Sequence, residues 1–231
     1  MTQGKESGQL ELSEAIRARK SIRGYKPVPV PKETLARVLE IASYAPSANN
    51  TQPWEFIILG GEVLDELRTT LEEKYVSRAQ PHPDFQLGRP PTGVYRRRQV
   101  ELGKSLFQLM GITREDREGR KQWVLKMIRF FDAPNAIIIA TDREVSDHLS
   151  IFAVGAISQN IALAAVNFGL GTCIENVVVS YPEVIRQILG LPESKKIAIG
   201  IAIGYPDWDF PANKVQVSHE PLASIATWHG V

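Results

Sequence analysis

Hydrophobic spacing divides the 231-residue chain into segments of helical and strand period. Leu12 and Ile16 lie four apart around Ser13, a plausible helix cap, so a short first helix follows a polar tail. Leu35, Val38, Leu39 and Ala42 share one helical face. Pro31 suits the first turn of that helix, and Pro46 ends it after Ala45, because a residue before proline is driven out of the helical region. Leu64, Leu67 and Leu71 predict a helix over 62–75, and two more helical patterns cover 95–110 and 114–129. Asp147 opens a long helix over 149–168 that is apolar nearly all round, which places it deep in a core or in a subunit interface. Ser180 and Glu183 have capping-box spacing and start a helix that stops at Leu189, before Gly190.

Three segments have strand character: 54–60, 135–141 and 196–205, the last two as unbroken apolar runs. Strands alternating with helices point, on periodicity alone, to a wound parallel α/β sheet. Prolines and glycine make residues 17–31 extended, and four prolines between Ser77 and Gly93 predict a long irregular loop of the kind used as a lid. The stretch from Gly169 to Glu175 follows a helix rather than preceding one and lacks a third glycine, so it is no dinucleotide fingerprint. It predicts a helix stop feeding a tight turn, with Gly169 or Gly171 left-handed. Residues 206–231 form a proline-containing tail without helical pattern, and no repeat or internal boundary divides 1–231, so a single domain is expected.

Charge removes several function classes. With 27 Lys and Arg against 26 Asp and Glu, no net field draws the chain to nucleic acid or an anionic membrane. Cys173, the only cysteine, excludes an intrachain disulfide or a multi-cysteine metal site; His82, His148, His219 and His229 form no ligand pair, so no metal is expected. Neither a Gly-x-Ser-x-Gly elbow nor a Gly-x4-Gly-Lys-Ser/Thr loop occurs. The expectation is no membrane-spanning stretch, no signal segment and a cytoplasmic location. Cys173 has no nearby histidine in sequence and is expected to be a buried apolar residue.

Two patterns carry chemistry. Arg17, Arg19, Ser21 and Arg23 alternate, which in an extended segment puts their side chains on one side. Such a row makes a phosphate cradle, since guanidinium donates paired hydrogen bonds to phosphate oxygens; a solvated basic edge fits the spacing equally well. Between Pro46 and Pro53, Ser47, Asn49, Asn50, Thr51 and Gln52 offer donors and acceptors that suit either a heterocyclic ring or a surface turn. Lys214 is a further candidate cation.

The motif Arg-x-Ser-x-Arg at residues 19–23, followed by Ala-Pro-Ser-x-x-Asn-x-Gln-Pro-Trp at 45–54, resembles the N-terminal signature of the FMN-dependent nitroreductase family. The likeness continues through residues 155–173, 181–193 and 201–216, leaving mainly 77–132 unmatched. It implies an α+β fold with a central, mainly antiparallel sheet surrounded by helices, and a homodimer with FMN at the subunit interface. The long apolar helix then belongs to the interface, and the tail is an arm crossing to the partner.

Carried over by motif, Arg19, Ser21 and Arg23 match phosphate and ribityl contacts, with Lys20 near the ring. Pro46, Ser47, Ala48 and Asn49 match a loop that meets the flavin of the other subunit. Ile174, Glu175 and Asn176 fall where backbone groups approach the flavin ring. Lys214 matches the first cation of a C-terminal phosphate motif, whereas Gln216 stands where a second cation is usual. The implied reaction is ping-pong hydride transfer from NADH or NADPH to an electron-poor acceptor, the flavin rather than a side chain carrying the chemistry. The layout around "RFFDAP" resembles members acting on substituted nitroaromatics, with Tyr95, Phe107, Trp123, Phe130 and Phe131 of the 77–132 lid as candidate stacking residues. Reduction of an enone, a quinone or a halogenated aromatic, and flavin binding without turnover, are the alternatives.

Overall fold

The computed structural model describes residues 11–86 and 88–231; nearly all of the polar tail, and Leu87 of the proline-rich loop, lie outside the described residues. In chain order the elements are α1 (Leu12–Ala18), α2 (Lys32–Ala42), β1 (Trp54–Gly60), α3 (Gly61–Val76), α4 (Gly93–Leu109) and α5 (Arg117–Ile128). There follow β2 (Asn135–Asp142), α6 (Asp147–Asn167), β3 (Gly171–Glu175), α7 (Pro182–Leu189), β4 (Lys195–Gly204) and a short α8 (Leu222–Ile225).

The sheet has the order β1-β2-β4-β3, and every neighbouring pair is antiparallel. This corrects the periodicity reading and agrees with the family resemblance. The reason lies in burial. Along β2, Ala136, Ile138 and Ala140 pack into one core cluster while Ile137 and Ile139 pack into the other, so the strand is apolar on both faces. Helices cover both faces of this antiparallel sheet, which gives its central strands the unbroken hydrophobic runs more typical of parallel ones. The first cluster contains Leu64, Leu67 and Leu71 of α3, Ile185 of α7 and Phe130. The second contains Leu35, Val38 and Ala42 of α2 with Ile157 and Ile161 of α6.

Local differences have local causes. The cap of α1 is Glu11, which forms a reciprocal capping box with Glu14, so Ser13 lies inside the helix. Pro31 is the N-cap of α2 rather than a first-turn residue, and the helix stops at Ala42, three positions earlier than expected. Tyr181 caps α7 with Pro182 in its first turn, displacing the predicted Ser180 box, and left-handed Gly190 (φ 64°) ends that helix. Gly169 (φ +69°) turns the chain after α6, but Gly171–Glu175 is the edge strand β3 instead of a turn. By length and composition α6 could cross a bilayer, contrary to the sequence reading, yet half of its apolar window is buried inside the protein.

The proline-rich loop is tied down at Asp84. Its carboxylate accepts the Ile197 N–H at 2.7 Å and an Arg143 Nη2–H at 3.1 Å, and it also pairs with Arg186. Phe85 beside it is buried, with Lys196 Nζ 4.2 Å from its ring centre.

Candidate cofactor site

After α1 the chain runs extended along the edge of β3. Ser21 bridges Thr172 in parallel, the Ile22 N–H donates to Thr172 O at 2.9 Å, and the Lys26 N–H donates to Tyr205 O at 2.9 Å. Gly171 permits the approach: a Cβ there would lie 2.4 Å from Ile22 and 2.9 Å from Pro206. Arg17, Arg19, Lys20, Ser21 and Arg23 all line one cavity of about 900 Å³. Arg17 reaches it from the last turn of α1, so the predicted extended alternation holds only from Arg19 onward.

The C-terminal segment is locked against this cradle. Asn213, 1% exposed, accepts the Arg23 backbone N–H at 2.6 Å and donates to Gly24 O at 2.8 Å and Asp207 O at 2.7 Å. Lys20 Nζ donates to Asn213 O at 2.7 Å and Val215 O at 2.8 Å. Its ammonium is therefore engaged by the tail, and burial followed by the neighbouring Arg23 charge lowers its pKa. Gln216 lines the cavity, whereas Lys214 is exposed and does not, which reverses the weight the motif had given the two.

A second cavity, of about 390 Å³, is mostly apolar. Ile174, Val154, Ile199 and Phe85 line it, with Asn176 among its polar groups. Gln159 of α6 lines both cavities, so the cationic and the apolar space adjoin. Strand alternation explains the division within β3: Ile174 is 40% exposed and faces the apolar cavity, while Cys173 and Glu175 point inward and are buried. Burial, then the Glu175 charge, pushes the Cys173 thiol up to about 12, so it is an inert core residue and not a nucleophile. Burial also holds the Glu175 carboxyl well above the usual carboxylate range, opposed only in part by Arg23.

Other predicted positions are not brought together within one chain. None of Pro46, Ser47, Ala48 or Asn49 lines either cavity. Their loop is shaped locally: Ser47 Oγ accepts the Gln52 N–H at 2.9 Å, Asn49, Asn50 and Gln52 have positive φ, and buried Trp54 fixes the exit into β1. Trp123 and Phe131 lie in the core, tilted against each other at a centroid separation of 5.6 Å; the half-buried Phe107 meets Trp123 edge to face at 6.4 Å, and Phe130 is fully buried. Tyr95 is exposed beneath Arg98. None of these five lines either cavity; Phe85 lines the apolar one. Sequence reasoning missed Phe85, Gln159 and Asn213. Only Asn213 carried a hint, beside Lys214 in a segment already singled out.

Residues 16–205 match the model of the nitroreductase family. The chain belongs to the nitroreductase family. Among its relatives, the chloronitrobenzene nitroreductase of Comamonas testosteroni is 32% identical over 221 residues, covering 94% of this chain and 96% of the relative. The nitrobenzene nitroreductase of Ectopseudomonas oleovorans is 33% identical, with the same coverage. Among solved structures, the FMN and NADPH-dependent nitroreductase NfnB of Sphigopyxis sp. strain HMH superposes with a TM-score of 0.91 at 28% identity, over 96% of this chain and all of that one. This nitroreductase thus shares its fold, over 96% of the chain, with a relative described as FMN- and NADPH-dependent. The cationic cavity opening onto an apolar one is the part of that architecture suited to a ligand.

Proposed function

We propose that this nitroreductase is an FMN-dependent oxidoreductase that uses NADH or NADPH to reduce a nitroaromatic acceptor. The observation that carries the reading is the junction at Gln159 of a cavity bearing Arg17, Arg19, Ser21 and Arg23 with an apolar cavity floored by Ile174. A molecule anionic at one end and flat and apolar at the other matches that pair of spaces, and FMN is such a molecule. The names of the relatives, a nitrobenzene and a chloronitrobenzene nitroreductase and an FMN- and NADPH-dependent one, support the acceptor, the cofactor and the donor.

Arg19, Arg23 and Ser21 would hold the phosphate end, with Gln216 supplying an uncharged donor where a second cation is usual. Gln159 and Asn176 would meet the polar edge of the ring, and Ile174 its apolar face. Bound FMN supplies a two-electron carrier that alternates between nicotinamide and acceptor. The side chains of this site fix position, exclude water from the apolar end and offset negative charge; none of them need act as nucleophile.

The reading includes a homodimer. Leu149, Ile151 and Phe152 of α6, and Leu12 and Ile16 of α1, are apolar and exposed, as are Val217, Leu222, Ile225 and Trp228 of the tail. A second copy covering these surfaces would account for a helix apolar all round but only half buried, and would bring its own Pro46–Asn49 loop to the site. A cytoplasmic setting suits the buried free thiol. Reconstitution tests the proposal: purified protein should bind one FMN per chain and scatter light as a dimer, and a stable FMN-loaded monomer would contradict the shared site.

A further inference from the structure

Asp84 joins two walls of the apolar cavity. Its chain neighbours Pro83 and Phe85 line that cavity, and so does Ile197 of β4, whose N–H the Asp84 carboxylate accepts at 2.7 Å. Two cations close on the same carboxylate. Arg143, just after β2, donates from Nη2 at 3.1 Å, and Arg186 of α7 pairs with it while donating from Nη2 to Lys195 O at 2.8 Å. The Asp84 side chain is 8% exposed and that of Arg186 7%, so most of this clasp is out of water.

Stability alone is a poor account of such an arrangement. Burying an ion pair costs its hydration, and apolar residues of similar volume often hold the same segment as firmly or better. What charge-assisted hydrogen bonds add is fixed distance and direction. The loop also has other anchors: Tyr181 Oη donates to Ala79 O at 3.0 Å, and the His82 N–H donates to Ser180 O at 3.0 Å. Both lead to the segment before α7. Contact with β4 is made by Asp84 through Ile197 and by Phe85, whose ring centre lies 4.2 Å from Lys196 Nζ.

We propose that Asp84 is a positioning residue that fixes the width of the apolar cavity, and with it the size of the aromatic ring system the enzyme accepts. This rests on the assignment of that cavity to the nitroaromatic acceptor. Asp84 does not itself line the cavity; it acts through Phe85 on one wall and Ile197 on the other. With its charge in place the loop is held against β4. When the clasp is loosened the loop relaxes outward, and the cavity gains room for a larger ring system. No bond is made or broken and no proton moves.

The test compares FMN-reconstituted wild type and Asp84→Asn on nitrobenzene and the two-ring 1-nitronaphthalene. The variant keeps an oxygen for the Ile197 N–H and gives up the charge that holds Arg143 and Arg186. The ratio of the two kcat/KM values should shift toward nitronaphthalene by about 3- to 10-fold, the scale on which an apolar pocket separates ligands of different size. FMN affinity, set in the cationic cavity, should stay within about twofold. Both activities falling in proportion, at an unchanged ratio, is the mark of a clasp that only stabilises, and it overturns the proposal. Phe85→Leu checks the route: on that background Asp84→Asn should shift the ratio by less than about twofold, and an undiminished shift overturns it. Arg143→Gln loosens the clasp from its exposed side and serves if Asp84→Asn does not fold. It should move the ratio the same way by about twofold, and an unmoved ratio counts against the proposal.

Proteolysis of the FMN-free protein gives a readout apart from activity. Phe85 is buried in the native chain, so chymotrypsin should cut after it slowly in the wild type and at least about tenfold faster in Asp84→Asn. Equal cleavage rates would show that the loop is held without the carboxylate, and overturn the proposal. A wild type that binds no FMN, or reduces neither nitroarene, would remove the reading of the cavity and this role with it, whereas the cleavage comparison reports on the clasp in either case.

Discussion

The side-chain carbonyl of Asn213 accepts the backbone N–H of Arg23 at 2.6 Å, joining two segments 190 positions apart at the base of the cationic cavity. Because the same amide donates to Gly24 O and Asp207 O, its removal takes this partner from the Arg23 N–H and from Asp207 O, while Gly24 O keeps the Asp207 N–H at 3.0 Å. Each such loss costs about 1–3 kcal/mol when buried. Asn213→Ala should weaken FMN binding by about tenfold or more and speed proteolytic cleavage of the tail after Val215. Unchanged affinity together with unchanged cleavage would show that the clasp does not shape the cradle.

Arg19 and Arg97 provide a matched pair of arginine truncations. Arg19 lines the cationic cavity, whereas Arg97 lies on an exposed face of α4, 3.8 Å from Glu101. A charge-assisted hydrogen bond contributes about 1.5–3 kcal/mol, so Arg19→Ala should weaken FMN binding by about 10- to 100-fold. Arg97→Ala should leave it unchanged, since exposed ion pairs contribute little. Fluorescence titration of each apoprotein decides the matter, and equal affinities would move the phosphate site elsewhere.

How far these features could be read from sequence depends on whether their cause is local. The helices over α2, α3 and α6 and the strands β1, β2 and β4 were legible because apolar periodicity and flanking prolines act within a few residues. Sheet direction was not, since β2 and β4 buried on both faces look the same in either orientation, and only the motif resemblance supplied the antiparallel answer. Arg19, Ser21 and Arg23 declared themselves by alternation. The contacts of Asn213 and the neighbourhood of Glu175 depend on residues far away in sequence, which no local pattern encodes. The aromatic candidates show the same limit: Phe107, Trp123 and Phe131 pack in a chain of edge-on and tilted contacts and line neither of the two cavities.

A left-handed turn at Phe130, Phe131 and Asp132, with φ of 54°, 50° and 54°, is held by Arg68. The Arg68 Nε–H donates to Arg129 O at 3.0 Å, and a second guanidinium N–H reaches Ala133 O, so the two carbonyls bracketing the turn share one buried cation. Non-glycine residues in this region store about 1–3 kcal/mol each, and the turn persists only while its ends are fixed. Arg68→Met should lower unfolding free energy by about 2–4 kcal/mol, measured by urea denaturation. A loss under about 0.5 kcal/mol would show the turn to be held by packing alone.

Cys173 should remain unmodified by iodoacetamide in the native protein at about pH 8 and react once the protein is unfolded. Its thiol rises from 9.0 to about 12 on folding, so the unfolded chain releases this proton first as pH increases. The corresponding stability is fully present below 9.0 and declines as pH climbs toward about 12, by up to about 1.4 kcal/mol per unit. Cys173→Ala should flatten that decline between about pH 9 and 10, in urea melts compared across pH; an identical slope would place its origin in other groups.

The central claim is tested most directly by the visible spectrum of the FMN-reconstituted protein without oxygen. Addition of NADH or NADPH should bleach the flavin band, and nitrobenzene added afterwards should restore it with loss of the nitroarene. A flavin that neither nicotinamide can bleach, or a bleached protein that nitrobenzene leaves colourless, would contradict the assignment.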